Sequence, residues 1–499
     1  MKFKEFKLEP FILSIDAGTT GITVLILDKQ ASICKKYYKE FTQYYPQSGW
    51  VEHNGEEIWS ATLMLLQSAF HDFSPNNCAA IGITNQRETT LIWNRKTGKP
   101  IHHAIVWQCR RTEEICSKLK QAGYEDLISE KTGLILDSYF SGTKIKWLLD
   151  NVDGSRANAE KGELAFGTID SWLLWKLTGG SIHSTDYTNA SRTMLFNIDE
   201  KKWDNELLQI LDIPTNLLPE VNNSSGKFGK TDKQLFGEAI PITGIAGDQQ
   251  AALFGQGCFE KGNTKCTYGT GCFLLINTGD NRINSTSGLL TTIACNPQGE
   301  PSYALEGSVF IGGAVIQWLR DELQLLAHAS DSEAMSLKVE NSNGVVIVPA
   351  FTGLGAPYWD MNARGIITGL SRGSNRNHIV RAALEGIAFQ VYDLLESVSK
   401  DLDIDISNLN VDGGAVANNF LMQFQADILQ INIDRPKNIE STALGAGMLA
   451  GLGVGFWKNP SELKEVRKTD KIFYPTMSDD NRISLLSNWK SAIRKLQYT

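Results

Sequence analysis

The run Phe11-Ile-Leu-Ser-Ile-Asp-Ala-Gly-Thr-Thr-Gly-Ile-Thr-Val-Leu-Ile-Leu27 sets two β-rich apolar segments, 11–15 and 22–27, on either side of a turn of small and hydroxyl-bearing residues. That pattern predicts a hairpin. A second stretch repeats it: Thr264 to Thr267, the turn Tyr268-Gly-Thr-Gly271, then Cys272-Phe-Leu-Leu-Ile276. Two such hairpins about half a chain apart point to duplicated architecture. Working outward from the first, Asn54 caps a helix opening at Gly55, with Ile58, Ala61, Leu65, Leu66 and Ala69 at helical spacing. Strands are expected over 79–83 and 89–93, and helices over 113–119, 144–149 and 171–177. Around the second hairpin the spacing predicts strands over 289–293 and 345–348 and helices over 311–323 and 377–400. Strands alternating with helices in both halves define an α/β fold class. Gly255, Gly257 and Gly262 punctuate the chain between them, which divides it into 1–257 and 258–499.

Composition bounds the partners. A chain of 499 residues exceeds what one hydrophobic core organises, and 42% apolar with 21% charged residues is ordinary globular usage. The net charge of −8 repels a phosphate backbone, so no nucleic acid partner is expected. The eight cysteines show no Cys-x-x-Cys pair or histidine spacing suited to zinc and read as reduced thiols. The N-terminus is charged up to Glu9 and the apolar run 11–15 is too short for a leader or a span. A cytoplasmic protein with no membrane partner is expected.

Glycine turns aim backbone N–H groups at phosphate oxygens without side-chain obstruction. Asp16-Ala-Gly-Thr-Thr20 adds two hydroxyl donors and a carboxylate that suits magnesium held through water. The turn around Thr270 would mirror that around Thr19 and grip a triphosphate from the other side. No Gly-x-x-x-x-Gly-Lys-Ser/Thr sequence or protein-kinase signature occurs, so a different scaffold would hold the nucleotide. The glycines of Val411-Asp-Gly-Gly-Ala415 allow a ligand near the backbone before a helix opening near Ala417. Gly445-Ala-Gly447 lies in an Ala/Leu/Gly helical pattern and reads as close helix packing. Asp248, just after the β-like run 240–245, is either a proton acceptor for an alcohol or a helix cap. Arg87 and Glu88 in Asn85-Gln-Arg-Glu-Thr89 either bind adjacent hydroxyls, Arg87 with both ends of its fork, or form a structural ion pair.

Gly82 to Thr90, Ile105 to Thr112, Tyr139 to Lys144, Gly244 to Gly255, Thr267 to Phe273 and Val411 to Gln425 together resemble the FGGY carbohydrate kinases over nearly the whole chain. The resemblance implies two ribonuclease-H-like domains of the actin, Hsp70 and sugar-kinase class, with the active site in the cleft between them. It implies ATP and magnesium as cofactors and phosphorylation of glycerol to sn-glycerol 3-phosphate, the alternative being another polyol or ketose. Asp248 would be the general base. Arg87, Glu88, Tyr139, Asp248 and Gln249 would bind the polyol hydroxyls, with Trp107 and Phe273 against its C–H surface. Thr19, Thr20, Gly21, Thr270, Gly313, Gln317, Gly414 and Asn418 would contact the nucleotide, and Asp16 would lie near the metal. Where the family's first phosphate turn often continues Ser-Ser-Arg, this chain has Gly21-Ile22-Thr23, without that hydroxyl and guanidinium. Assembly into a homo-oligomer is compatible with this reading.

Overall fold

The computed structural model describes residues 9–402, 404, 406–464 and 466–497; the charged N-terminal residues before Glu9 and the last two residues lie outside them. Each predicted hairpin seeds a sheet. In the first half β1 (Phe11–Ala17), β2 (Gly21–Leu27), β3 (Ile33–Glu40), β4 (Cys78–Asn85), β5 (Ser225–Lys230) and β6 (Pro241–Gly247) stand in the order β5-β6-β4-β1-β2-β3. In the second half β7 (Thr264–Tyr268), β8 (Cys272–Gly279), β9 (Leu290–Cys295), β10 (Pro301–Val309), β11 (Asn408–Asp412), β12 (Asn432–Pro436) and β13 (Thr469–Phe473) stand in the order β9-β10-β8-β7-β11-β12-β13.

The two sheets share one plan. From β1, β2 pairs antiparallel and β3 antiparallel to it, while β4 and then β6 add in parallel and β5 closes antiparallel. From β7, the same directions run through β8, β10, β11, β12 and β13, with β9 as an added edge strand. The duplication read from two short turns thus extends through six strands on each side.

Register places the chemistry. In the first sheet Ala17 pairs with Asn85, and Asn85 with Gly247, so three strands end level and deliver Asp16, Arg87 and Asp248 to one edge. In the second, Thr267 pairs with Asp412, bringing the Tyr268–Gly271 turn beside Gly413 and Gly414. Ligands of open α/β sheets bind at such carboxyl ends.

Seven helices bear on this arrangement: α1 (Gly55–Asp72), α2 (Asp248–Gly255), α3 (Ala314–Asp321), α4 (Arg376–Asp401), α5 (Asn419–Leu429), α6 (Ser441–Gly453) and α7 (Asp479–Gln497). Asn54 caps α1 by accepting from the Glu56 N–H, and Ile58, Ala61, Leu65, Leu66 and Ala69 are buried. Helix α6 lies in sequence between β12 and β13 of the second half yet packs against the first sheet. The carbonyl of Ala446 sits 2.2 Å from where a Cβ on Gly82 would be, and the Ala251 carbonyl 1.9 Å from a Cβ on Gly445. Gly445 and Ala446 therefore pack backbone to backbone, while a Cβ on Gly447 would meet the side chains of Leu27 and Ser14.

Some boundaries move. The strand expected over 89–93 begins at Leu91, because Glu88 takes a left-handed φ of 61° and a turn occupies the residues before it. The helix expected over 311–323 is 314–321, and the one expected near Ala417 begins at Asn419 after a 3₁₀ turn at Gly414–Ala417. Among the described residues no helix is long and apolar enough to cross a membrane.

Candidate active site

A cavity of about 240 Å³ lies between the two sheets, lined by Asp16, Gly18, Thr19 and Thr20 from one turn and Gly269, Thr270 and Gly271 from the other. Arg87, Glu88, Trp107, Tyr139, Asp248, Gln249, Thr267, Phe273 and, from α6, Thr442 complete its wall. Thr270 and Gly269 also border a second cavity of about 440 Å³, with Gly313, Gln317, Gly414, Asn418, Ile316 and Leu421 around it. Every expected site residue but one lines one of these two spaces. Gly21 does not: a Cβ there would lie 2.7 Å from the Lys39 carbonyl oxygen and 2.9 Å from the Tyr38 ring, so β3 dictates glycine. At the first of its three positions, the departure from Ser-Ser-Arg has a packing cause.

A closed ion network sets the geometry behind the cavity. Glu306 on β10 receives Arg87 at both ends of its fork, Nη1 at 2.5 Å and Nη2 at 2.9 Å, and Arg192 Nη2 at 2.9 Å. Arg192 also donates through Nε to Glu88 at 2.6 Å, and Arg87 Nη1 to Gln250 at 3.2 Å. The expectation that Arg87 addresses adjacent hydroxyls bidentately is corrected here, since its fork is spent on Glu306. What Arg87 offers the cavity side is its Nε, 3.0 Å from Asp248 Oδ1. Burial would raise the Glu306 carboxyl, but Arg192 and Arg87 hold it down at about 2. Burial prevails at Glu88, raised despite Arg87 and Arg192.

Glu88 is held in its strained conformation from behind. Its carbonyl accepts from Lys144 Nζ at 3.2 Å and Ser141 Oγ at 3.1 Å. Lys144 also donates to the Tyr139 carbonyl at 2.6 Å, and burial lowers its pKa to about 7. A left-handed glutamate costs on the order of 1–3 kcal/mol, and the hydrogen bonds to its carbonyl hold the backbone there.

Asp248 is the first residue of α2, after the N-cap Gly247, and accepts from the Gln249 N–H at 2.8 Å; no side-chain cap bond forms there, so the helix-cap alternative is not what the structure shows. Its pKa is raised because burial outweighs the pull of Arg87 and Lys265. Asp16 is pushed up to about 8 by burial and by the carboxylates of Asp248 and Glu440. The Trp107 indole donates to Thr19 Oγ1 at 3.0 Å and meets Phe273 and Tyr139 edge-on at 5.9 and 5.8 Å, forming an aromatic wall tied to the first turn.

Sequence reasoning missed Lys144, Arg192, Lys265 and Glu306. Each is a charged residue that the structure buries completely. The available signal was a lone charge in a run otherwise apolar or small, as in Ala304-Leu305-Glu306-Gly307-Ser308-Val309.

Two ribonuclease-H-like sheets gripping a cleft between Gly-Thr turns, with a base-like carboxylate at a strand end, define a sugar-kinase type of phosphotransferase. The chain belongs to the FGGY family of carbohydrate kinases: its residues 11–255 match that family's N-terminal domain and 264–454 its C-terminal domain. A glycerol kinase of Carboxydothermus hydrogenoformans is 58% identical over 488 residues, 97% of this chain and 98% of that one. Glycerol kinase 2 of Thermotoga maritima is 55% identical over 487 residues, 97% and 98% of the two chains. The crystal structure of Plasmodium falciparum glycerol kinase with ADP aligns with a TM-score of 0.88 at 38% identity, covering 98% of each chain. A ligand-bound xylulose kinase of Lactobacillus acidophilus reaches a TM-score of 0.86 at 23% identity over 97% of this chain and 98% of that one, and shares the fold.

Proposed function

We propose that this protein is a cytoplasmic enzyme of glycerol catabolism that transfers the γ-phosphoryl group of ATP to a terminal hydroxyl of glycerol, giving sn-glycerol 3-phosphate and ADP. The observation that carries this reading is the shared border at Gly269 and Thr270, where a small cavity lined by Asp248 meets a larger one. The aromatic wall of Trp107, Tyr139 and Phe273 suits the short C–H surface of a three-carbon polyol, whereas a longer ketose needs additional polar contacts. The nucleotide takes the larger space, with its phosphates between Thr19, Thr20 and Thr270. The division falls at 257/258, polyol and phosphate contacts coming mainly from the first half and nucleotide contacts from the second.

Asp248 accepts the proton of the attacking hydroxyl as its oxygen bonds to the γ-phosphorus and the bond to the bridging oxygen breaks, the electron pair leaving with ADP. Gln249, Glu88 and Tyr139 orient the hydroxyls, and Arg87 holds Asp248 from the side. Magnesium fits the donor set as an ion carried by the nucleotide. Among the described residues no group of three or more His, Cys, Asp or Glu could cage a metal, while the Asp16 carboxyl lines the cavity, is raised by burial and by Asp248 and Glu440, and would be lowered by a cation beside it. Asp16 would hold the ion through water, and the ion would neutralise charge on the β- and γ-phosphates.

ADP release measured with and without glycerol tests the reading: stimulation by glycerol is expected, and its absence would sink it. A panel of glycerol, xylulose, gluconate and other polyols tests the acceptor, with glycerol expected to give the highest kcat/KM.

A further inference from the structure

We infer that Lys265 is a positioning residue for the acceptor: anchored by Thr267 and Asp412, its ammonium fixes the Gln249 amide so that the NH₂ rather than the oxygen faces the polyol cavity. The inference rests on the reading of this cavity as the glycerol site. Lys265 lies on β7 and is fully buried, whereas Gln249 lies on α2 and lines the cavity. Lys265 Nζ sits 2.5 Å from Gln249 Oε1 and 2.9 Å from Thr267 Oγ1. A lysine ammonium has donors and no acceptor, so the group turned toward it must be the amide oxygen. The NH₂ is left for the cavity, where it donates to a hydroxyl oxygen beside Asp248, which accepts. The pair thus presents one acceptor and one donor to the polyol.

The anchor has a fixed direction at both ends. Thr267 donates its hydroxyl proton to Asp412 Oδ1 at 2.6 Å, leaving its lone pairs for Lys265. The second Asp412 oxygen takes Gln256 Nε2 at 2.8 Å. Asp412 is followed by Gly413 and Gly414, and Gly414 lines the larger cavity. A buried chain of donors therefore runs from the nucleotide-side turn to the acceptor-side amide and crosses between the two halves. A lysine serving only as a counter-ion for Asp412 would have no need to reach Gln249.

The test is a double-mutant cycle in the full-length protein, read as kcat and KM for glycerol, with Lys265→Met, Gln249→Ala and the pair. Wild-type protein without glycerol-dependent ADP release would overturn the function proposed above, whereas an active wild type leaves the cycle decisive for Lys265. Each single change is expected to raise the glycerol KM about 10-fold or more, the weight of one charge-assisted contact, with a smaller effect on kcat. The double variant should be no worse than the worse single one, because both act through one contact. Multiplying losses, or an unchanged KM in Lys265→Met, would refute the inference. If Lys265→Met fails to fold, Gln249→Glu decides on its own. A carboxylate has no NH₂ to offer, so this near-isosteric change should raise the glycerol KM as much as Gln249→Ala; a KM within about threefold of wild type would mean that an oxygen faces the polyol.

Discussion

Asp248 must be ionised to accept a proton, yet it sits where burial favours the neutral acid. Asp248→Asn keeps the shape and removes the base, so kcat should fall by about 100-fold or more while the glycerol KM stays within a few-fold. Steady-state and single-turnover rates check it. The sign of the pH effect follows: a raised pKa means that protonation, and loss of kcat/KM, set in at higher pH than for an ordinary carboxylate. The acid limb of the wild-type profile should therefore lie above the usual aspartate range, and a limb at or below that range would contradict the burial argument. Glu306 behaves oppositely. Its folded pKa of about 2 lies below the ordinary 4.5, so its stabilisation is present above 4.5 and lost as pH falls through about 2. Glu306→Gln leaves Arg87 and Arg192 buried without their carboxylate and should cost roughly 3–5 kcal/mol in urea unfolding at neutral pH. Asp248 was legible because it sits in a short motif after a strand. Glu306 was not, because its partner Arg87 is 219 residues away and only the fold makes them neighbours.

Glycines that look alike in sequence do different work once elements are packed. A Cβ on Gly445 would lie 1.9 Å from the Ala251 carbonyl oxygen, and one on Gly414 meets nothing within 4 Å. Gly445→Ala should therefore force α6 off α2 and destabilise by about 1–3 kcal/mol or more. Gly414→Ala should leave the melting temperature near wild type and raise the KM for ATP, since the added methyl enters the larger cavity. Thermal melts paired with ATP titrations separate the two, and equal behaviour would mean that the cavity-facing role of Gly414 is wrong. The two hairpins and helix α1 were readable because period, turn chemistry and cap agree locally. The position of α6 was not, because its Ala/Leu/Gly pattern states that something packs closely without stating what.

At the scale of the whole molecule, the duplication was visible as two turns, but the way the halves are joined was not. Helix α6 belongs by sequence to the second half and lies on the first sheet, its backbone against Gly82, Gly244 and Gly255. Any relative motion of the two sheets must then be taken up by the link between α2 and β7, from Gln256 to Asn263, and by the segments on either side of α6, from Pro436 to Glu440 and from Val454 onward, while α6 travels with the first sheet. The two Gly-Thr turns contribute to the cavity wall from different halves, Thr19 and Thr20 from the first and Thr270 from the second. A ligand set touching both turns favours the closed arrangement by its differential contacts, whereas one touching a single side has less leverage. Glycerol together with a non-hydrolysable ATP analogue should therefore contract the protein in small-angle scattering more than either alone, and should slow amide exchange at Thr19 to Gly21 and Gly269 to Gly271. Exchange in α6 should be low and unchanged in all four ligation states. If α6 gained protection to the same extent as the two turns, it would be part of what closes rather than the element carried with the first sheet, and the hinge would have to be sought elsewhere.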